Sequence, residues 1–331
     1  MKKHNKILIT GITLIILSAL FFLEKGYFEI DILNFILNSD NLSSEQQGQM
    51  RIIQYIRAPR IIVALLVGGI LSISGVIFQG VLFNPLADSY ILGVASGASF
   101  GAALSIYFGM NQFKEFTIVI MAFIFSMLSL YFVLRVSKKN GTLNSNTLIL
   151  SGVIISSFFS AGLSFLQFLK GSEVQEIIFW IMGSFSSKTW IDVWILLVSS
   201  IIGLGIFTIY SKSLNIISLG DRVAKANGVD VKKVKRILLI TASFLSAAVV
   251  STTGVIGFIG LMVPHLIRSV VGSDNSRVIP ISFVYGGLIT MLADNIIRVY
   301  FPSEIPVGVI TALFGAPFFI FIFRKKILGR F

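Results

Sequence analysis

The chain has 331 residues, of which 55% are hydrophobic and 13% charged, and its mean hydropathy is +0.90. Soluble domains carry about 25% charged residues, so a water-facing shell cannot be built, and disordered, collagen-like and soluble two-domain classes are excluded together. The 27 basic residues outnumber 15 acidic ones for a net charge of +12, and the lack of cysteine excludes disulfides, zinc–thiolate sites and iron–sulfur clusters.

A polytopic membrane protein remains. Its first apolar run, Ile7–Leu23, follows the basic start Met1-Lys2-Lys3-His4-Asn5-Lys6. A signal peptide has that outline, but the run is long and Phe22-Leu23-Glu24-Lys25 offers no small-residue cleavage site, so it reads as a retained helix. The interval Glu24–Gln54 is the longest polar interruption, and Asn38–Met50 within it reads as an exposed loop. Apolar segments then recur near 61–83, 90–109, 116–136, 146–168, 191–210, 236–254, 256–271, 278–300 and 305–323. With the first they make ten, each near the roughly 20 residues that cross a bilayer except the short eighth. The expected fold is an all-α polytopic membrane protein forming one domain over 1–331.

Ten spans put both termini on one side. That side holds nineteen Lys and Arg and the other eight, so both termini are expected in the cytoplasm. Gly93-x3-Gly97-x3-Gly101, and Gly68, Gly69, Ser72, Ser74 and Gly75 one span earlier, let backbones approach closely. A faint echo links Gly75-Val76-Ile77, followed by Pro85, to Gly254-Val255-Ile256, followed by Pro264 at the same offset. Opposite orientations of the two passages are what an inverted repeat gives.

The loop 211–236 carries the strongest local signal. In Leu219-Gly220-Asp221-Arg222-Val223-Ala224-Lys225-Ala226-Asn227-Gly228, Asp221 is placed to cap a short helix that Gly228 stops, and a second short helix can start at Asp230. This is either a docking element for a soluble partner or a solvated amphipathic loop whose charges set topology.

Gly220-Asp221-x-x-Ala224-x3-Gly228 between spans six and seven resembles the coupling loop of ABC importer permeases. Arg57-Ala58-Pro59-Arg60, Asn84-Pro85-Leu86-Ala87-Asp88 with Gly93-Val94-Ala95-Ser96-Gly97-Ala98, Gly257-Phe258-Ile259-Gly260-Leu261-Met262-Val263-Pro264-His265-Leu266-Ile267-Arg268, and Glu304-Ile305-Pro306-Val307-Gly308 with Gly315-Ala316-Pro317 extend the match in order. Together they resemble the FecCD family of permeases for iron–siderophores, haem and cobalamin, over nearly the whole chain. The resemblance implies a type II importer architecture like that of the cobalamin permease. Its partners would be a second permease copy or a similar chain, two ATP-binding subunits and an extracytoplasmic binding protein. It implies no cofactor in this chain, ATP and magnesium being bound by the partner; the sequence has no G-x-x-x-x-G-K-[ST] of its own.

Residue by residue, the resemblance assigns Gly220, Asp221, Ala224 and Gly228 to ATPase coupling, and Arg57 and Arg298 to docking of the binding protein. A guanidinium suits oriented pairing with carboxylates; an arginine at a helix end also simply snorkels to the interface. Arg60 is expected to stabilise its helix end. Asn84 and Leu86, with Asn144 and Ser145, fall where the family places a cytoplasmic gate, although Asn144 and Ser145 depart from the Ser and Thr expected there. His265 is read as structural rather than a haem ligand, and Asp88, Asp294 and Glu304 as capping or packing groups. An ion-coupled secondary transporter, which would need buried mid-membrane charges and no ATPase dock, is the alternative. An intramembrane enzyme lacks its convergent catalytic set. Lys, Asn and Ile usage points to an AT-rich bacterium, and the resemblance implies a bacterial cell membrane.

Overall fold

The computed structural model describes residues 2–25, 44–109, 114–139, 142–143, 145–301 and 305–327. The chain folds as helices α1 (Lys2–Glu24), α2 (Ser44–Ile52), α3 (Ala58–Leu82), α4 (Val94–Tyr107), α5 (Lys114–Val136), α6 (Ser145–Lys170) and α7 (Gln175–Met182). There follow α8 (Trp190–Ile209), α9 (Ser211–Ile217), α10 (Asp221–Ala226), α11 (Val231–Thr253), α12 (Ile259–Val271), α13 (Asn275–Tyr300) and α14 (Val307–Ile327). A π-helical turn, Ile53–Arg57, joins α2 to α3, and Lys138–Lys139 pairs with Thr142–Leu143 in a minimal hairpin. Every expected apolar segment is helical over most of its length. Three short helices, α7, α9 and α10, fill intervals between spans.

Hydrogen bonds gather the helix ends into two sets. At one end the α1 terminus meets Arg57 and Arg298, Trp190 Nε1 donates to the Gln54 carbonyl (3.0 Å), and Lys188 Nζ donates to the Thr252 carbonyl (2.6 Å). At the other, Tyr285 Oη donates to the Ile7 carbonyl, Ser145 to the Val81 carbonyl and Asn215 to Asp274. These are the ends that the charge distribution assigns to opposite sides.

The axis of the bundle is α3, flanked by α13, α11, α8 and α12 and buried almost throughout. Its glycines make that possible. A Cβ on Gly75 would stand 1.8 Å from the Gly260 carbonyl oxygen, and one on Gly68 2.2 Å from that of Gly286. Gly75→Ala must therefore push α3 away from α12, and such overpacking costs about 1–3 kcal/mol. Purified in detergent, this variant is expected to unfold at a lower temperature than the parent. Gly205→Ala, where a Cβ meets nothing within 4 Å, is expected to unfold no earlier.

Two crossings are only partly helical. α4 has 14 residues and α12 has 13, rising roughly 20 Å against about 30 Å of hydrocarbon. Irregular segments, 83–93 and 254–258, precede them. Non-helical backbone at that depth needs internal partners, and α4 has them. Asp88 Oδ1 accepts from the Tyr90 and Ile91 amides (3.0 and 3.3 Å), and Ser126 and Ser129 donate to the Val94 and Gly93 carbonyls (2.7 and 2.8 Å). Asp88, Tyr90, Val255, Gly257 and Phe258 line a common apolar cavity of about 520 Å³. A long helix, an irregular stretch and a short helix thus occur twice, in opposite senses. The sequence echo is not that repeat: Gly75 lies mid-helix in α3, whereas Gly254 ends α11, and Pro85 is in a turn while Pro264 is inside α12.

Candidate functional site

Two clusters of charged side chains stand one at each end of the bundle, Arg57, Arg60, Asp294 and Arg298 at one and Asp221 with Lys235 at the other. Arg57 and Arg60 lie one turn apart leading into α3, and Asp294 and Arg298 one turn apart on α13, so each pair shares a helical face. The two faces meet. Arg60 grips Asp294 in a bidentate pair, with Nε to Oδ2 and Nη2 to Oδ1 both at 2.9 Å, and the Asp294 side chain is fully buried. This corrects the expectation that Arg60 stabilises its own helix end and that Asp294 caps or packs. The carboxylate is the counter-ion of the arginine, because an isolated charge at that depth is costly.

Arg57 is only 4% exposed and its Nη1 donates to the Leu23 and Glu24 carbonyls at 2.7 and 2.9 Å. Arg298 Nη2 donates to the Phe22 carbonyl (2.5 Å), the Lys25 carbonyl (3.2 Å) and Asn295 Oδ1 (2.9 Å). Both guanidiniums thus cap the last carbonyls of α1, the negative end of its dipole. Both arginines assigned to docking stand side by side, turned inward onto α1.

At the opposite end the interval 211–236 is helical almost throughout, as α9, α10 and the start of α11. Gly220 enters α10 with φ 115° and ψ 147°, a conformation open essentially to glycine. Gly228 leaves it with φ 78°, and its amide closes the turn on the Lys225 carbonyl. Asp221 is the first helical residue and caps nothing; its two oxygens lie 2.8 and 2.9 Å from Lys235 Nζ. Asp230 does cap a helix, accepting from the Lys233 amide (3.1 Å). That helix is no short one but α11 itself, a full crossing. Ala224 is wholly buried, seating α10 against the chain, while Leu219 is 72% exposed and Val223 43% exposed. The outward surface of the ledge is therefore Leu219, Arg222, Val223 and Lys225 rather than Ala224.

The ledge is tied down at its base. Asn215 donates to Asp274 Oδ1 (2.8 Å) and accepts from the Asn275 amide (2.8 Å), which joins α9 to the start of α13. Burial pushes the Asp274 carboxyl up, but hydrogen bonds from Ser276 and Asn215 and the charge of Arg277 outweigh it and hold the group below the usual carboxylate range. That stabilisation is present above the ordinary carboxylate pKa and is lost as pH falls through the lowered one.

Of the predicted gate residues, Asn84 folds the α3 exit into a turn, accepting from the Leu86 amide through Oδ1 (2.9 Å). Ser145 Oγ donates to the Val81 carbonyl (3.4 Å), bringing the start of α6 to the same place. Asn144 and Glu304 lie outside the described residues. His265 sits on α12, and no group of three or more metal-ligating side chains occurs among the described residues.

The sequence pattern of the FecCD transport family matches residues 11–325. The chain belongs to the FecCD transport family. Among its relatives, the cobalamin import system permease BtuC of Halobacterium salinarum is 38% identical, over 83% of this chain and 74% of that one. The molybdate import system permease MolB of Haemophilus influenzae is 37% identical over 84% and 82%. The iron(3+)-hydroxamate import system permease FhuB of Bacillus subtilis is 33% identical over 98% and 84%. A solved ABC transporter of the metal-chelate type, in an inward-facing conformation, is similar with a TM-score of 0.86 and 33% identity, over 97% of this chain and 99% of that one. This FecCD chain is thus a membrane permease of the ABC importer class, with a BtuC-like all-helical fold.

Proposed function

We propose that the chain moves an iron chelate into a bacterial cytoplasm by alternating access, a ferric siderophore in the first place and haem or cobalamin after it. It works as a homodimer or with a similar permease, beside two ATP-binding subunits that hold ATP and magnesium and an extracytoplasmic binding protein. Both termini are cytoplasmic. The observation that carries this reading is the α9–α10 ledge. It is a rigid, glycine-framed surface that presents Leu219 and Val223 outward at the basic end of the bundle, where a soluble subunit would dock.

Supporting observations concern the substrate path and the drive. Ser157, Ser160 and Ser164 form an exposed stripe along α6. Ser157 bonds back to the Val153 carbonyl of its own helix (2.9 Å), and the small side chains of the stripe let another helix approach closely, so this face suits a second permease. An ion-coupled transporter has no use for a surface that docks a soluble subunit, and the α9–α10 ledge offers one. For the substrate, iron(3+)-hydroxamate is what one relative's name states, and metal chelates are the class of the solved neighbour.

The test is ATP hydrolysis by the reconstituted complex, measured with binding proteins loaded with ferric hydroxamate, haem or cyanocobalamin. Stimulation by the ferric-hydroxamate form is expected. Uptake that persists without any ATP-binding subunit would refute the importer reading. In the same assay, Arg57→Glu with Arg298→Glu is expected to weaken binding-protein affinity at least about tenfold, as loss of charge-assisted pairs does. An unchanged affinity would remove the docking role and leave both arginines as α1 caps.

A further inference from the structure

Lys235 is an unusual lysine. It lies on the second turn of α11, yet it is only 4% exposed. A buried ammonium persists only when its charge is met, and here two elements meet it from different directions. Asp221, at the first position of α10, holds Nζ between its oxygens at 2.8 and 2.9 Å. From another direction the ring of Phe83 lies beneath the same Nζ, 4.8 Å from the ring centroid, within the range of a cation–π contact.

Phe83 is the residue that ends α3. It adopts φ 52° and ψ 32°, left-handed backbone that a bulky side chain takes up only when its surroundings hold it there. Directly after it comes the Asn84–Leu86 turn. Beside it is a cavity of about 280 Å³, lined by Gly80, Phe83, Pro85, Ser218 and Arg268, into which the ring and the turn can shift. One ammonium on a rigid helix thus binds both the ledge and a strained residue at the exit of the central helix.

We infer that Lys235 is the positioning residue that couples α10 to the α3 exit, so that displacement of Asp221 by a docked subunit changes the hold on Phe83 and moves the Asn84–Leu86 turn. The inference rests on α10 being the dock for the ATP-binding subunit. A lysine that only stabilised the α11 terminus would need Asp221 but not the aromatic ring; the ring makes it a link between two parts.

The chain has no cysteine, so a single Leu86→Cys, read on the permease band, reports on the turn without background from this chain. The complex with its ATP-binding subunit is prepared in lipid nanodiscs, nucleotide-free and trapped with ATP and vanadate. The rate of modification by a polar maleimide is then compared between the two states. In the parent and in Lys235→Arg, which keeps the charge, trapping is expected to change the rate about tenfold, within the usual range of coupling between sites. In Lys235→Met and in Phe83→Leu the two rates are expected to coincide, although both complexes still assemble and hydrolyse ATP. Phe83→Leu leaves the Lys235–Asp221 pair intact and decides the matter if Lys235→Met fails to assemble. A full nucleotide response in assembled Phe83→Leu or Lys235→Met overturns the role of Lys235 alone. A parent chain that binds no ATP-binding subunit overturns the importer reading, and this coupling with it.

Discussion

Asp294→Ala is expected to destabilise the chain by about 3–5 kcal/mol, the range measured when one partner of a buried ion pair is removed. Asp294 is fully buried, and both its oxygens are engaged by Arg60 at 2.9 Å. Its charge also meets that of Arg298, one turn further along α13. Without it Arg60 keeps its charge but not its counter-ion, on a helix whose neighbours leave no room to turn outward. Asp294→Asn should be milder, because an amide still accepts a hydrogen bond from the guanidinium. The double variant Arg60→Met with Asp294→Leu separates electrostatics from packing. Replacing a whole buried pair with apolar groups of similar volume is often neutral or stabilising, so this variant should recover most of what the single one loses. Thermal unfolding in detergent, followed by recovery of monodisperse protein after heating, measures all three. A single variant as stable as the parent would mean that the pair is not the lock between α3 and α13.

That pair also shows where sequence reading reached its limit. The ten crossings were legible because a bilayer demands long apolar helices whatever the packing, and that demand is local. The start of α11 at Asp230 and the glycines that frame α10 were legible for the same reason: a cap and a left-handed φ are properties of a few adjacent residues. The Arg57–Arg60 and Asp294–Arg298 spacings were visible too. What joins them is a contact between positions 234 residues apart, which no local pattern encodes. Asp221 was misread as a cap because its partner, Lys235, lies beyond the helix it begins. α7, with eight residues, is too short to register as a crossing and is apolar enough to pass for part of a loop that packs. Of the two half-helical crossings, the one ending in α12 was legible as short, whereas the one ending in α4 was read as a full span because its backbone is satisfied by Ser126 and Ser129 of a different helix and by Asp88 within its own turn, contacts that no apolar pattern records.

On the ledge, the double variant Leu219→Glu with Val223→Glu is expected to abolish association with the ATP-binding subunit while leaving the permease folded. Both side chains stand outward on either side of the Gly220 turn, at 72% and 43% exposure, and neither supports the interior. Central apolar contacts in an interface cost about 2 kcal/mol or more each when lost. Two together amount to about 4 kcal/mol, near a thousandfold in affinity. Charges at the rim behave differently: Arg222→Ala should alter the salt dependence of association more than its strength at physiological salt. Ala224 offers a contrasting case. It is wholly buried, so Ala224→Leu should lift α10 from its seat, disturb the Asp221–Lys235 pair and lower thermal stability as well as association. Co-purification with the tagged ATP-binding subunit, together with the elution profile of the permease alone, distinguishes the two outcomes. If Leu219→Glu with Val223→Glu left the complex intact, the dock would have to lie elsewhere on this end of the bundle, and the exposed apolar pair would lose its part in the transport cycle.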